Sequence, residues 1–464
     1  MPVSAVVPGQ AQRHKEQKQV SDVKAVSVEE LTHMDAQAVA AVEVKQPERP
    51  KLRDILGPGL ITGASDDDPS GIATYSQAGA QFGYGLIWTL LLTYPLMCAI
   101  QMVSAQIGRV TGHGLSANMR RHYPVSVLYV LVSLLLLANV INLGADLGAM
   151  AAALRLLLPG PQALYVAGFA VLTVLLEVYM RYSRYASVLR WLTLSLFAYV
   201  ATVFAVGVPW GEVAVNLVVP HIQFSGDYLT VVVAVFGTTI SPYLFFWQAA
   251  EEVEEEKEDP EAKPLLKAPK QAPRELNRIQ LDTLAGMGVS NLIALFIVLT
   301  TAATLNAHHV TNIQTSAQAA EALRPIAGEF AFAVFALGIV GTGLLAVPVL
   351  AGSAAYAVGE TFRWRVGLAQ RPERARAFYG TIALATFVGA AANFTSLDPI
   401  KALFWSAVIN GVVAVPIMAM IMLMGSRRKI MGQFTLGPWL KTLGWLATLA
   451  MAVAAIGMVA TWGD

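Results

Sequence analysis

Long apolar runs separated by short polar stretches organise this chain. Eleven segments are each able to cross a hydrocarbon core of roughly 30 Å. They lie near residues 54–79, 85–107, 126–157, 162–180, 187–208, 228–250, 283–305, 329–352, 377–393, 398–424 and 439–462. In lipid only helices and closed barrels satisfy every backbone group, so the pattern predicts an all-α integral membrane bundle of about eleven transmembrane helices. The ninth segment is short and relies on Phe378 and Tyr379 at its start. Residues 1–52 read as a disordered, mixed-charge cytoplasmic tail with little to bury. Residues 251–282, opening on an acidic run from Glu251, read as a solvated linker, with a weak collector of divalent ions as the sharper alternative.

Two of the segments carry polar interruptions. The first holds Ser65-Asp66-Asp67-Asp68-Pro69-Ser70-Gly71 and the sixth holds Gly237-Thr238-Thr239-Ile240-Ser241-Pro242-Tyr243. Each carboxylate in a bilayer costs roughly 2.5–3.5 kcal/mol on insertion scales, so these acids need partners. Proline removes a backbone donor, and the small neighbours weaken the helix further, so both spans are expected to break. Interrupted helices five spans apart signal inverted repeats with a substrate held between the breaks near the midplane. The domains follow: 53–208 as the first repeat (helices 1–5), 209–424 as the second (helices 6–10), and 425–464 as a peripheral eleventh helix.

Composition sharpens the membrane reading. Hydrophobic residues make up 55%, charged residues 14%, and mean hydropathy is +0.55, against about 25% charged in soluble domains. The single cysteine, Cys98, excludes an intrachain disulfide and a thiolate cluster, and reads as a small core residue. With the amino terminus in the cytoplasm and the carboxyl terminus outside, 28 of the 32 Lys and Arg residues fall in the tail and the cytoplasmic loops. An alanine-rich chain without an apolar leader suits a bacterial inner membrane. No metalloprotease helix, nucleophile elbow or phosphate loop is present, which argues against an enzyme.

The run from Gly57 through GPGLITGASDDDPSG and GAQFGYGLIWTLLL resembles the first two helices of the Nramp divalent-metal transporters. The resemblance continues through AxxxADLGA in the third span and GTTISPY in the sixth, covering roughly residues 50–430. It implies a LeuT-like inverted-repeat fold with helices 1 and 6 broken. By the same resemblance the metal-binding aspartate maps to Asp68, the family's asparagine to Gly71, its methionine to Ser241 and its coordinating carbonyl to Thr238. The substitutions at Gly71 and Ser241 look like the Nramp-related magnesium transporter branch.

Donor chemistry points the same way. A thioether favours transition metals, and no methionine lies close in sequence to either break. Mg²⁺ takes oxygen ligands near 2.0–2.1 Å, uses only one or two carboxylates and keeps several waters. The candidate metal ligands are therefore Asp68, Ser241, Thr238, Gly71, Asp67 and Ser65, with Asp66 pairing elsewhere or lining the water-filled entrance. Exchange of Asn and Met for Gly71 and Ser241 is expected to enlarge the pocket for a partly hydrated ion, although Ser241 could instead only cap a half-helix.

In the third span Asn139, Asn142 and Asp146 share one helical face. The resemblance assigns Asp146 to the proton path, but Asn139, Ala149 and Tyr243 stand where titratable groups are usual, and no arginine clearly matches the ninth-helix partner. The expected activity is import of Mg²⁺, and also Mn²⁺, by alternating access without strong proton coupling. Alternatives are a proton-coupled Mn²⁺ or Fe²⁺ carrier, or an amino-acid or amine carrier of the same fold. Expected partners are divalent ions and the lipid bilayer, with no cofactor, nucleic acid or obligate protein partner. Asn410 reads mainly as helix packing, His308 and His309 as exposed loop, and Glu177 and Glu360 as ordinary ion-pair partners of nearby arginines.

Overall fold

A computed structural model of the chain describes residues 58–180, 192–394 and 398–462. The tail expected over residues 1–52 lies outside them. Every apolar segment is helical: α1 Pro58–Asp66, α2 Pro69–Phe82, α3 Trp88–Thr111, α4 Leu115–His122, α5 Val125–Arg155, α6 Gln162–Tyr179, α7 Phe197–Ala205 and α8 Trp210–Val218. There follow α9 Gly226–Thr239, α10 Pro242–Glu258, α11 Ala272–Thr304, α12 Ala331–Phe362, α13 Arg376–Ala391, α14 Pro399–Ser426 and α15 Pro438–Ala460. Among the described residues nine helices are long and apolar enough to cross a membrane, α9 and α10 counting as one, and the bent pair α7–α8 makes ten. The first apolar segment supplies α1 and α2, of 9 and 14 residues, each too short to span alone.

Both expected breaks are present, and the local chemistry explains them. Asp67 and Asp68 separate α1 from α2, with Asp68 extended (φ −70°, ψ 169°) and Pro69 as the first residue of α2. Ile240 and Ser241 separate α9 from α10, with Pro242 in the matching place. Proline at a helix start forfeits only a donor that lacks a partner anyway, so each residue that weakens the span also begins its second half. The broken helices sit inside a cage of α5, α11, α12 and α14. Two glycines let backbones touch there: a Cβ on Gly63 would lie 2.3 Å from the Gly286 carbonyl carbon, and one on Gly237 would lie 2.1 Å from the Ala407 carbonyl oxygen.

Two expectations change. The fifth segment turns through 117° after Ala205 and continues as α8, in a stretch that hydropathy leaves as loop. The acidic run is not a solvated linker, because α10 continues through it to Glu258 and α11 begins at Ala272. Arg278 pairs with Glu252 at 2.5 Å, Glu255 at 3.1 Å and Glu275 at 3.3 Å, while Arg109 pairs with Glu256 and Glu275, both at 3.3 Å. Glu254 accepts from Tyr356 and from the Leu368 amide. The glutamates are thus drawn onto α3, α11 and α12.

Candidate functional site

Asp68 stands where the two broken helices meet, 2% exposed. Its Oδ1 accepts from the Gly71 amide at 2.6 Å, capping α2, and its Oδ2 accepts from Asn142 Nδ2 at 3.2 Å and from the Tyr243 hydroxyl at 3.4 Å. Tyr243 also donates to the Ser65 carbonyl at 3.2 Å. Asn142 passes the network on, its Oδ1 accepting from Ser406 at 2.6 Å, and the Ser70 hydroxyl lies 3.2 Å from Ser406. One carboxylate therefore ties α2, α5, α10 and α14 together. Asp146, one turn beyond Asn142, is fully buried, and neither of its carboxylate oxygens has a hydrogen-bond partner among the described residues.

The second break contributes oxygen as well. The Ser241 hydroxyl donates back to the carbonyls of Gly237 (2.9 Å) and Thr238 (2.8 Å) and makes no side-chain cap on α10. Ser241 therefore closes the last turn of α9 rather than capping the start of α10. The expected enlargement at Gly71 is not found, because a Cβ there would already meet Thr238 Oγ1 at 3.2 Å and the Tyr75 ring at 3.3 Å. The first turn of α2 packs directly on the last turn of α9, and those neighbours take the vacated space. Asp66 and Asp67 turn toward α11, where Ser290 Oγ donates to both, at 2.6 and 3.1 Å. Asp67 thus shares a partner with Asp66 rather than with Asp68.

A cavity of about 820 Å³ opens beyond the break, lined by Ala73, Gln77, Gln81, Asp227, Val231 and Lys401 among others. Ala73 is two residues past Gly71, so the cavity reaches to within a helical turn of the junction. At the other end lies the ion-pair network of α3, α10 and α11. The cavity and the ion-pair network thus lie on opposite sides of Asp68.

Among the described residues no group of three or more His, Cys, Asp or Glu is arranged to hold a metal ion. A cation at the junction would take one carboxylate, with carbonyl, hydroxyl or water oxygens for the rest. One sulfur comes closer than the sequence suggests: Met150 Sδ would lie 2.5 Å from a Cβ on Gly343, beside Pro69. Helix packing brings it there from another span, and no local pattern announces it.

With this geometry in view, residues 59–461 match the family model described as natural resistance-associated macrophage protein-like, Nramp. The chain belongs to the Nramp-like family. Among Nramp relatives, the divalent metal cation transporter MntH of Klebsiella pneumoniae subsp. pneumoniae is 25% identical over 414 residues, covering 87% of this chain and 92% of that protein. The MntH of Deinococcus radiodurans is 28% identical over 331 residues, covering 69% and 73%. Among solved structures, the Eremococcus coleocola manganese transporter in complex with an aromatic bis-isothiourea substituted compound superposes with TM-score 0.67, at 18% identity over 89% of each chain. Mhp1, a nucleobase-cation-symport-1 family transporter in a closed conformation, gives 0.52 at 14% identity, over 88% and 92%. These likenesses establish the Nramp and LeuT-like fold.

Of the Nramp positions singled out in the sequence, the fold gathers Ser65, Asp68, Gly71, Thr238 and Ser241 around one junction and adds Asn142. Asn139 serves packing instead, donating to the Leu350 carbonyl at 2.9 Å and to Ser353 at 2.7 Å. His308 and His309 are exposed, and Cys98 is core. Glu360 accepts from the Gly114 and Ala117 amides, not from an arginine. Glu177 is buried without a partner among the described residues, and the arginines expected beside it, at 181 and 184, lie outside them. Sequence reasoning missed Ser406 and Ser290. Ser406 sits four residues before Asn410, so a polar stripe on α14 was the available signal.

Proposed function

We propose that this Nramp-like protein is a secondary transporter importing divalent metal ions, Mg²⁺ foremost and Mn²⁺ also, by alternating access and without strong proton coupling. The observation that carries the reading is the single buried carboxylate, Asp68, at the junction of two broken helices. Its hydrogen-bond network is built of oxygen and amide groups: Asn142, Tyr243, and, across the second break, a hydroxyl and carbonyls. Such a donor set suits a hard ion that keeps some of its water. The relatives' own names, divalent metal cation transporter and manganese transporter, support a cation carrier over an enzyme or an amino-acid carrier.

In this reading an ion enters through the 820 Å³ cavity, binds at Asp68, and leaves when the network of Arg109 and Arg278 opens. The basic end is assigned to the cytoplasm. An inside-negative potential then drives entry with about 2.3 kcal/mol per charge per 100 mV, doubled for a divalent ion. Weak proton coupling rests on Asn139 and Tyr243 standing where the family carries titratable groups. A second reading, a proton-coupled transition-metal carrier, is favoured by the unpartnered carboxylate of Asp146 and by the sulfur of Met150. Flux into proteoliposomes with an internal pH dye decides between them. Mg²⁺ uptake without lumenal acidification is expected, and Mn²⁺-only uptake with acidification would overturn the first reading.

A further inference from the structure

We propose that the basic end carries a binding site for the phosphate headgroup of an anionic phospholipid. A cavity of about 430 Å³ lies between α4, α10 and the end of α12, lined in part by His113, Arg120, Arg121, Lys257, Arg363 and Trp364. The one carboxylate on its wall, Glu360, is already engaged by the Gly114 and Ala117 amides at 3.1 Å each. Gly114 has no side chain to spare there, since a Cβ on it would lie 2.1 Å from Glu360 Oε1. Arg120 donates to the Thr361 carbonyl, which fixes its guanidinium on the wall. Arg121, Lys257 and Arg363 make no ion pair among the described residues, whereas Arg109 and Arg278 at the same end hold two or three carboxylates each. Burial first, then the charges of Arg121, Lys257 and Lys267, push the His113 imidazole below its ordinary range. The cavity is a concentration of positive charge with its internal acid spoken for.

A second feature selects a lipid over a free anion. Trp364 on the cavity wall stacks on Phe362 (5.3 Å, 25°), and Phe362 stacks on Tyr129 (6.1 Å, 26°). All three rings are 40% or more exposed and form a ridge running from the cavity onto the first turn of α5. Aromatic side chains collect at the headgroup level of a bilayer, and basic pockets between transmembrane helices take anionic headgroups. Guanidinium and ammonium groups would hold the phosphate, while the stacked rings lie where the acyl chains begin. Inorganic phosphate has no use for the ridge.

Thermal unfolding and native mass spectrometry of delipidated full-length protein test this, with phosphatidylglycerol, phosphatidylcholine or inorganic phosphate added back. Phosphatidylglycerol is expected to raise the unfolding temperature and stay bound, while the other two do neither. The Arg121→Gln/Lys257→Gln double variant removes two surface charges and is expected to weaken phosphatidylglycerol binding about thirtyfold. The Arg371→Gln/Arg374→Gln pair, at the same end but off the cavity, should leave it unchanged. Equal stabilisation by phosphatidylcholine or by inorganic phosphate would overturn the proposal. So would retention of phosphatidylglycerol by the first double variant, or an equal loss in the second.

Discussion

A single carboxylate organises the centre of this molecule. Asp68 answers to four helices at once, and removing it takes away both the cap of α2 and the charge that would hold a cation. Asp68→Ala is expected to lower divalent-ion uptake in proteoliposomes by at least about a hundredfold, because nothing else at the junction carries charge into its hydrogen-bond network. The two positions that set donor softness should behave differently. Ser241→Met is expected to shift preference from Mg²⁺ toward Mn²⁺ or Cd²⁺ in competition flux. Met150→Leu should leave the ion ranking unchanged, and a loss of Mn²⁺ transport in that variant would make the Met150 sulfur a ligand. Asp68 was legible from the sequence because an acid beside proline in an apolar run needs a purpose. The Tyr243 bond to it and the reach of Ser406 to Asn142 were not, since hydroxyl groups are unremarkable in a membrane helix until packing aims them.

The halves of the broken helices and the acid-rich end of α10 act as elements. The breaks could be read in advance because proline writes them locally. The acidic run could not: a row of glutamates resembles a solvated linker until Arg109 and Arg278 arrive from α3 and α11. Glu252 is fully buried against Arg278, which is 15% exposed. Arg278→Met strands that carboxylate and is expected to cost about 3–5 kcal/mol of stability, measured by thermal unfolding in detergent. The Glu252→Gln/Arg278→Met pair should recover a good part of the loss, as a double-mutant cycle would register.

As a whole, the bundle carries a cavity toward Gln77 and Asp227 and an ion-pair network where α10 meets α3 and α11. Hydropathy gives eleven segments, against nine spanning helices, or ten with the bent pair, among the described residues, and the 117° turn after Ala205 does not show in a hydropathy window, which measures apolarity and not direction. Accessibility provides the test. In a Cys98→Ser background, the Gln77→Cys variant should react with a membrane-impermeant maleimide added outside. The Ala250→Cys variant, 3% exposed on α10, should not. Mg²⁺ flux conditions that favour inner opening should reverse the ranking, and equal labelling at both positions would contradict a one-sided structure.

The hydrogen bonds on Asp68 carry a consequence for ion choice. A carboxylate offers about four lone-pair sites, and Gly71, Ser70, Asn142 and Tyr243 all direct donors at them. An entering ion must therefore displace a donor, and monodentate contact displaces the fewest. Ca²⁺ seeks six to eight oxygens and often grips a carboxylate with both, so it would have to evict several resident donors, whereas a smaller ion that takes one oxygen and keeps its own water evicts fewer. Discrimination against the larger alkaline-earth ion would then come from arithmetic on lone pairs, with no sieve of the right diameter required.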